Sequence, residues 1–211
     1  MADSIIDRLT QSFLKFPGIG PRQARRFVYY LLRTNHGNAR ELARQIEELR
    51  VGIRQCAECQ RFFPASAQVN STICNICNDN TADHGLLMVV EKDIDLENIR
   101  KSDTYAGRYF VLGGLAPILT EHPERSIRAQ ELENLIKHRL GGSSSKLREI
   151  IIALSVNPEG DYTVEVLKKL LAPLAEEHDI KITLLGRGLS TGTELEYSDA
   201  DTLKNAIKNR S

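Results

Sequence analysis

The sequence contains no apolar run approaching the ~18–20 residues that a membrane-spanning helix needs, so no membrane partner is expected. It has no net charge either: 28 Lys+Arg stand against 28 Asp+Glu in 211 residues. Neither a basic n-region nor an apolar h-region follows Met1-Ala2-Asp3-Ser4-Ile5, so a cytoplasmic location is expected. There is no GK[ST] phosphate loop, and neither Gly186-Arg-Gly nor Gly113-Gly114 forms one. His36, His84, His122, His138 and His178 are scattered and none sits in a nucleophile motif, so each reads as a lone surface or core histidine. Internal repeats are absent, as are low-complexity tracts beyond Ser143-Ser144-Ser145. What remains is 41% hydrophobic and 27% charged, ordinary globular proportions that exclude a long disordered chain. At ~100–200 residues per domain, the length allows one large domain or two to three small ones.

The zero average conceals an asymmetry. Residues 1–80 hold 11 Lys+Arg and 7 Asp+Glu, a balance of +4, and residues 81–211 hold 17 and 21, a balance of −4. Five basic and no acidic residues lie between Lys15 and Arg33. Phosphates respond to the nearest field, so this end is the candidate for polyanion binding.

Apolar spacing at Ile5, Ile6, Leu9, Phe13 and Leu14 predicts a helix over 4–14. Phe16-Pro17-Gly18-Ile19-Gly20-Pro21 interrupts it, and further helices are expected over 22–33 and 39–54. After the cysteine-bearing stretch 56–77, strands are expected at 86–90, 109–112, 150–154 and 180–185. Helices are expected between them at 93–101, 127–140 and 162–177, with a flexible loop at 141–145 and a last helix over 199–208. Strands alternating with helices imply an α/β fold with a parallel sheet.

Residues 16–26 have the form of a helix-hairpin-helix turn. Gly18 and Gly20 permit a tight turn and the close approach of a DNA backbone, and Pro21 suits the first helical position. The helix N-terminus then faces a phosphate. Arg22 and Arg26, at i and i+4, share a helical face, with Arg25 beside them. Such contacts are sequence-independent, because they supply no base-reading side chains.

Cys56-x2-Cys59 and Cys74-x2-Cys77, separated by fourteen residues, are the only cysteines. Two CxxC knuckles at this spacing suit one tetrahedral ion, and disulfides are disfavoured in a reducing cytoplasm. The expected cofactor is one structural Zn²⁺ per chain, with a closed shell that folds the chain and does no chemistry. The strand 86–90 ends in Glu91, on the carboxyl edge of the sheet where ligand chemistry usually occurs.

A helical hairpin, two CxxC knuckles and then this sheet resemble, in that order, the RecR family of bacterial recombination mediators. The resemblance spans nearly the whole chain. It is strongest at Phe-Pro-Gly-Ile-Gly-Pro-Arg (16–22), the four cysteines, Gly-Arg-Tyr-Phe-Val-Leu-Gly-Gly (107–114) and the stretch 186–203 that opens Gly-Arg-Gly-Leu-Ser-Thr-Gly. The gap between the cysteine pairs is longer than the family's usual one, which implies an inserted loop, and 118–125 is irregular against the family. The resemblance implies a helix-hairpin-helix domain at 1–54, a four-cysteine zinc finger at 55–80, a Toprim domain at 81–178 and an oligomerising C-terminal segment at 179–211.

Catalytic Toprim proteins hold magnesium with a strand-end Glu and an Asp-x-Asp pair. Aligning Glu159-Gly160 with the family's Glu-Gly puts those Asp positions on Ser155 and Asn157, both uncharged. Glu91 and Glu159, with Asp161 beside them, remain as partner or magnesium contacts. The resemblance therefore implies a non-enzymatic mediator of recombinational repair. It binds single-stranded and duplex DNA, assembles as a homo-oligomeric ring of four, and acts with RecO, and in some settings RecF, to load RecA onto single-stranded DNA. The alternative is a magnesium-dependent nuclease or primase-like enzyme.

Overall fold

The computed structural model describes residues 4–65, 72–141, 147–186, 189, 192, 194–198 and 200–208. The chain divides into two units, Met1–Ile53 and Arg54–Ser211.

The first unit is helical: α1 (Ile5–Leu14), α2 (Pro21–Arg33) and α3 (His36–Gly52). Helix α1 starts where Ser4 Oγ accepts the Asp7 amide at 3.2 Å, which satisfies one of the orphan donors of a first turn. The first two helices pack as a hairpin around Thr10, Ala24 and Val28, all buried. Phe13 joins them, its ring 5.6 Å from Phe27 and 6.1 Å from Phe16. Helix α3 begins at His36, three residues before the spacing suggests, because Asn35 Oδ1 accepts the Gly37 amide at 2.9 Å.

A ribbon follows, β1 (Ile53–Gln55), whose last two residues open the second unit, paired with β2 (Phe62–Pro64). The main sheet follows: β3 (Asp83–Val90), α4 (Asp93–Ser102), β4 (Gly107–Val111), α5 (Ala129–Leu140), β5 (Glu149–Ala153), α6 (Pro158–His178) and β6 (Lys181–Leu184), then α7 (Ala200–Lys208). Strand order is β4-β3-β5-β6, all parallel. The register pairs Val89 with Phe110 on one side and Ile152 on the other. A bulge between Asp83 and Leu87 lets β3 start earlier than its apolar run indicates.

Side chains alternate across the sheet as the period of two requires. Leu87, Val89, Phe110, Ile150 and Ile152 face the helices α5 and α6, whose Leu132, Ile136, Leu167 and Leu171 complete one core. Met88, Val90, Tyr109 and Val111 face the other way, against Leu96 of α4 and the cysteine module. Burial on both faces explains why these strands read as continuous apolar runs. The chain leaves β3 toward one face and β5 toward the other, so the strand order reverses between them. That boundary is the topological switch point, where ligands of open α/β sheets bind.

Helix α6 begins at Pro158, a turn ahead of the expected Tyr162, with Asn157 Oδ1 accepting the Gly160 amide at 2.7 Å. The irregular stretch before α5 includes a 3-10 turn at Pro123–Ser126. Of the expected flexible loop, Gly141 caps α5 and 142–145 lie outside the described residues. So do 66–71, where the inserted loop between the cysteine pairs is expected, and 187, 188, 190, 191, 193 and 199 of the C-terminal motif. No helix among the described residues is long and apolar enough to cross a membrane.

Candidate nucleic-acid interface and metal centre

The turn between α1 and α2 is built by two glycines with different tasks. Gly18 sits at φ +76°, a left-handed conformation that costs glycine little. Gly20 is extended at φ −87° and is the N-cap of α2, with no side-chain hydrogen bond to the helix and Pro21 behind it. A Cβ on either glycine would meet nothing within 4 Å, so both backbones are open to a ligand. An uncapped helix N-terminus of this kind presents its first-turn amides and the positive end of the dipole to an anion.

Arg22, Arg25 and Arg26 are all exposed on the first turns of α2. They share a shallow groove with Leu14 and Tyr29. The structure separates their roles in a way the spacing does not. Arg25 reaches Asp7 of α1 at 3.9 Å, an exposed pair, whereas Arg26 donates to a neutral neighbour, the Gln23 side chain, at 3.5 Å.

The four cysteines converge. All four are buried, and their sulfurs lie within 4.8 Å of one another. Cys59 Sγ stands 3.6 Å from Cys74 Sγ. Sulfurs arranged tetrahedrally at ~2.3 Å from zinc would be about 3.8 Å apart, so the set fits a tetrahedral ion. The Cys74 amide donates to Cys56 Sγ at 3.3 Å, as a thiolate would favour. Packed this closely, the thiols perturb one another: Cys59 and its neighbours donate to Cys56 and push its pKa down, while Cys77 is pushed up. Four thiolates in one buried space require a cation, and these residues can hold a metal ion. They are also the only group of three or more His, Cys, Asp or Glu among the described residues that can do so.

The centre is fastened to the sheet. Val111 of β4 donates its amide to the Cys59 carbonyl at 2.8 Å. Arg128 Nη1 donates to the Gln60 and Val111 carbonyls at 2.9 and 3.1 Å, with its guanidinium 5.8 Å from the Phe62 ring centre. Arg108, only 2% exposed on β4, donates to the carbonyls of Ile76 and Asp79, at 2.8 and 2.7 Å. These two arginines escape sequence reading, because neither a charged residue within a buried strand, as Arg108 is, nor one at a helix start, as Arg128 is, hints at its partner. His84, read as a lone histidine, is the other partner of Arg108, its Nε2 2.8 Å from the guanidinium.

At the switch point, Glu91 follows β3 and is 4% exposed. Lys92 Nζ approaches its Oε1 at 2.5 Å, and Ser155 Oγ donates to its Oε2. Burial opposes ionisation of Glu91, but Lys92 and Ser155 outweigh it and hold the carboxyl below its ordinary value. The two residues at the aligned Asp-x-Asp positions thus have other work: Ser155 binds Glu91 and Asn157 caps α6. Glu159 lies exposed on the first turn of α6.

A family model described as the RecR helix-hairpin-helix matches residues 6–50. A Toprim model matches 85–186, and a RecR C-terminal model matches 188–211. Over 209 residues the chain is 38% identical to the recombination protein RecR of Bifidobacterium animalis, covering 99% of this chain and 96% of that one. It is 36% identical to that of Syntrophobacter fumaroxidans over 98% of this chain and 94% of the other. The recombination protein RecR of Legionella pneumophila is 31% identical over 100% and 98%. Matched end to end by these proteins, and through both terminal segments by models that carry the family's name, the chain belongs to the RecR family.

Proposed function

We propose that this protein is a non-enzymatic, DNA-binding mediator of recombinational repair, which acts with RecO, and in some settings RecF, to load RecA onto single-stranded DNA. The observation that carries the reading is the open hairpin: Gly18 and Gly20 unobstructed, the α2 N-terminus uncapped and Arg22 and Arg26 exposed beside it. One hairpin offers few phosphate contacts. A ring-shaped homotetramer, closed through the 179–211 segment, would multiply them on one strand or duplex. The hairpin domain covers 1–54, the finger 55–80 and the Toprim domain 81–178. The four cysteines take one structural Zn²⁺, which suits a protein working in the reducing cytoplasm.

Of the two acidic residues at the switch point, the exposed Glu159 is assigned to a protein partner. Glu91 spends both carboxylate oxygens on Lys92 and Ser155, which disfavours the nuclease or primase-like reading. The test incubates the protein with labelled single-stranded and gapped duplex DNA, with and without Mg²⁺, on native and denaturing gels, followed by RecO binding. Salt-sensitive shifts with intact strands are expected. Magnesium-dependent cutting or extension that disappears in Glu91→Ala would overturn the reading.

A further inference from the structure

Helix α2 carries four arginines and no acidic residue over Pro21–Arg33. Its inner face is spent on the hairpin: Ala24 and Val28 are buried, and the Phe27 ring lies 5.6 Å from that of Phe13. The outer face of such a helix is ordinarily charged or polar throughout. Here it holds Tyr29 and Tyr30, 50% and 68% exposed, and among the described residues neither ring meets another aromatic ring. Arg22, Arg26, the two tyrosines and Arg33 follow one another at intervals of three or four residues. They therefore share one side of α2 over about 16 Å, at ~1.5 Å per residue. Two shallow grooves meet along this row. Arg26 and Tyr29 line both, while Tyr30 and Arg33 belong to one and Arg22 and Arg25 to the other. Arg25 is drawn to Asp7, and among the described residues the other three arginines have no carboxylate partner. Exposed aromatic area rimmed by unpaired cations marks an interaction surface. A second copy meeting this face with its own α2 would set arginine against arginine. A single nucleic-acid strand suits both halves of the pattern, because its phosphates answer the arginines and its bases offer open faces to the rings.

We propose that Tyr29 and Tyr30 form a stacking platform for unpaired DNA bases, with Arg22, Arg26 and Arg33 holding the backbone beside it, so that the hairpin takes a single strand in preference to a duplex. The inference rests on the reading that the hairpin binds DNA. Phosphate contacts at the uncapped start of α2 hold either form of DNA. The tyrosines, about two turns further along, add affinity only where a base has an open face, and in a duplex the neighbouring base pairs cover those faces. Stacking accepts every base, so the preference is for strandedness and not for sequence.

The experiment titrates the full-length protein into three labelled probes of equal length: oligothymidylate, the same backbone without bases, and a duplex. Wild type is expected to bind oligothymidylate more tightly than the abasic strand. Removing an aromatic stack weakens single-strand binding by about 5–150-fold per base. Tyr29→Ala with Tyr30→Ala should lose at least that much on oligothymidylate, keep wild-type affinity for the abasic strand and the duplex, and bind the two single strands alike. Tyr29→Phe with Tyr30→Phe retains the rings and should bind oligothymidylate as wild type does. The chain has no tryptophan, so tyrosine emission is read directly, and oligothymidylate should quench it where the abasic strand does not. Wild type that binds both single strands equally would overturn the inference while leaving the DNA reading intact. So would an alanine variant that keeps oligothymidylate or loses all three probes equally. Light scattering should give that variant the wild-type mass; a smaller mass would make the face a contact between copies and overturn the inference. Wild type that holds none of the probes would overturn the DNA reading and the inference with it.

Discussion

Ser155 donates its hydroxyl to Glu91 Oε2 across the boundary between β5 and β3, while Lys92 holds the other carboxylate oxygen. A strand-end glutamate at a switch point is placed to bind a ligand, but this one is committed within the protein. Removing the hydroxyl leaves a buried charge short of a partner. Ser155→Ala should destabilise the fold by about 1.5–3 kcal/mol, read as a lower urea midpoint at unchanged slope. The cost should depend on pH. Because the folded pKa of Glu91 lies below 4.5, the contribution is present above that value and fades as pH falls through the folded one.

The arginines of α2 should differ in their effect on DNA. Arg22→Glu with Arg26→Glu is expected to weaken binding and to reduce the salt slope by ~0.9 for each duplex phosphate no longer neutralised. Arg25→Ala, which removes a side chain already directed at Asp7, should cost less. Fluorescence anisotropy across a salt series checks both, and unchanged affinity in the double variant would remove the hairpin from the interface.

His84 should act as a modest acid sensor of the fold. Its Nε2 faces the Arg108 guanidinium, which donates, so the ring accepts there and is neutral. Burial first, then Arg108 and Arg139, hold its pKa below 6.5. The unfolded chain therefore binds the proton more readily, so the stability His84 contributes is present above pH 6.5 and is lost as pH falls through the lower folded value. Wild type should lose more stability than His84→Gln between pH 7 and pH 5, by denaturant titration.

Gly160 is fixed by proximity. A Cβ there would come within 1.8 Å of the Ser155 carbonyl oxygen, so the start of α6 would have to retreat from the end of β5. Gly160→Ala should cost at least ~1–3 kcal/mol, seen as a fall in Tm. A variant as stable as wild type would mean that the segment 155–160 moves freely.

The α/β layering was legible because strands buried on both faces leave unbroken apolar runs such as Leu86–Val90, and the cysteine spacing announced its own geometry. Boundaries were less legible where a cap set them: Asn35 and Asn157 each start a helix earlier than the apolar period indicates. The ribbon β1–β2 is three residues a side, too short to show a period. Arg108 meets Asp79, Glu91 meets Ser155 and Arg128 meets Gln60 across 29, 64 and 68 residues of chain, and such pairings exist only once the chain has folded.

The amide of Val111, which donates to the Cys59 carbonyl, belongs to the outermost strand on its side of the sheet. An outermost strand with unpaired backbone groups is a template for another chain. The knuckle takes up the end of that template at Val111, so the cysteine centre also obstructs growth of the sheet by strand addition there. Stripping the metal should therefore do more than loosen a small module: it should expose the β4 edge and make the protein self-associate into thioflavin-positive aggregates, at temperatures where the metal-loaded protein stays dispersed.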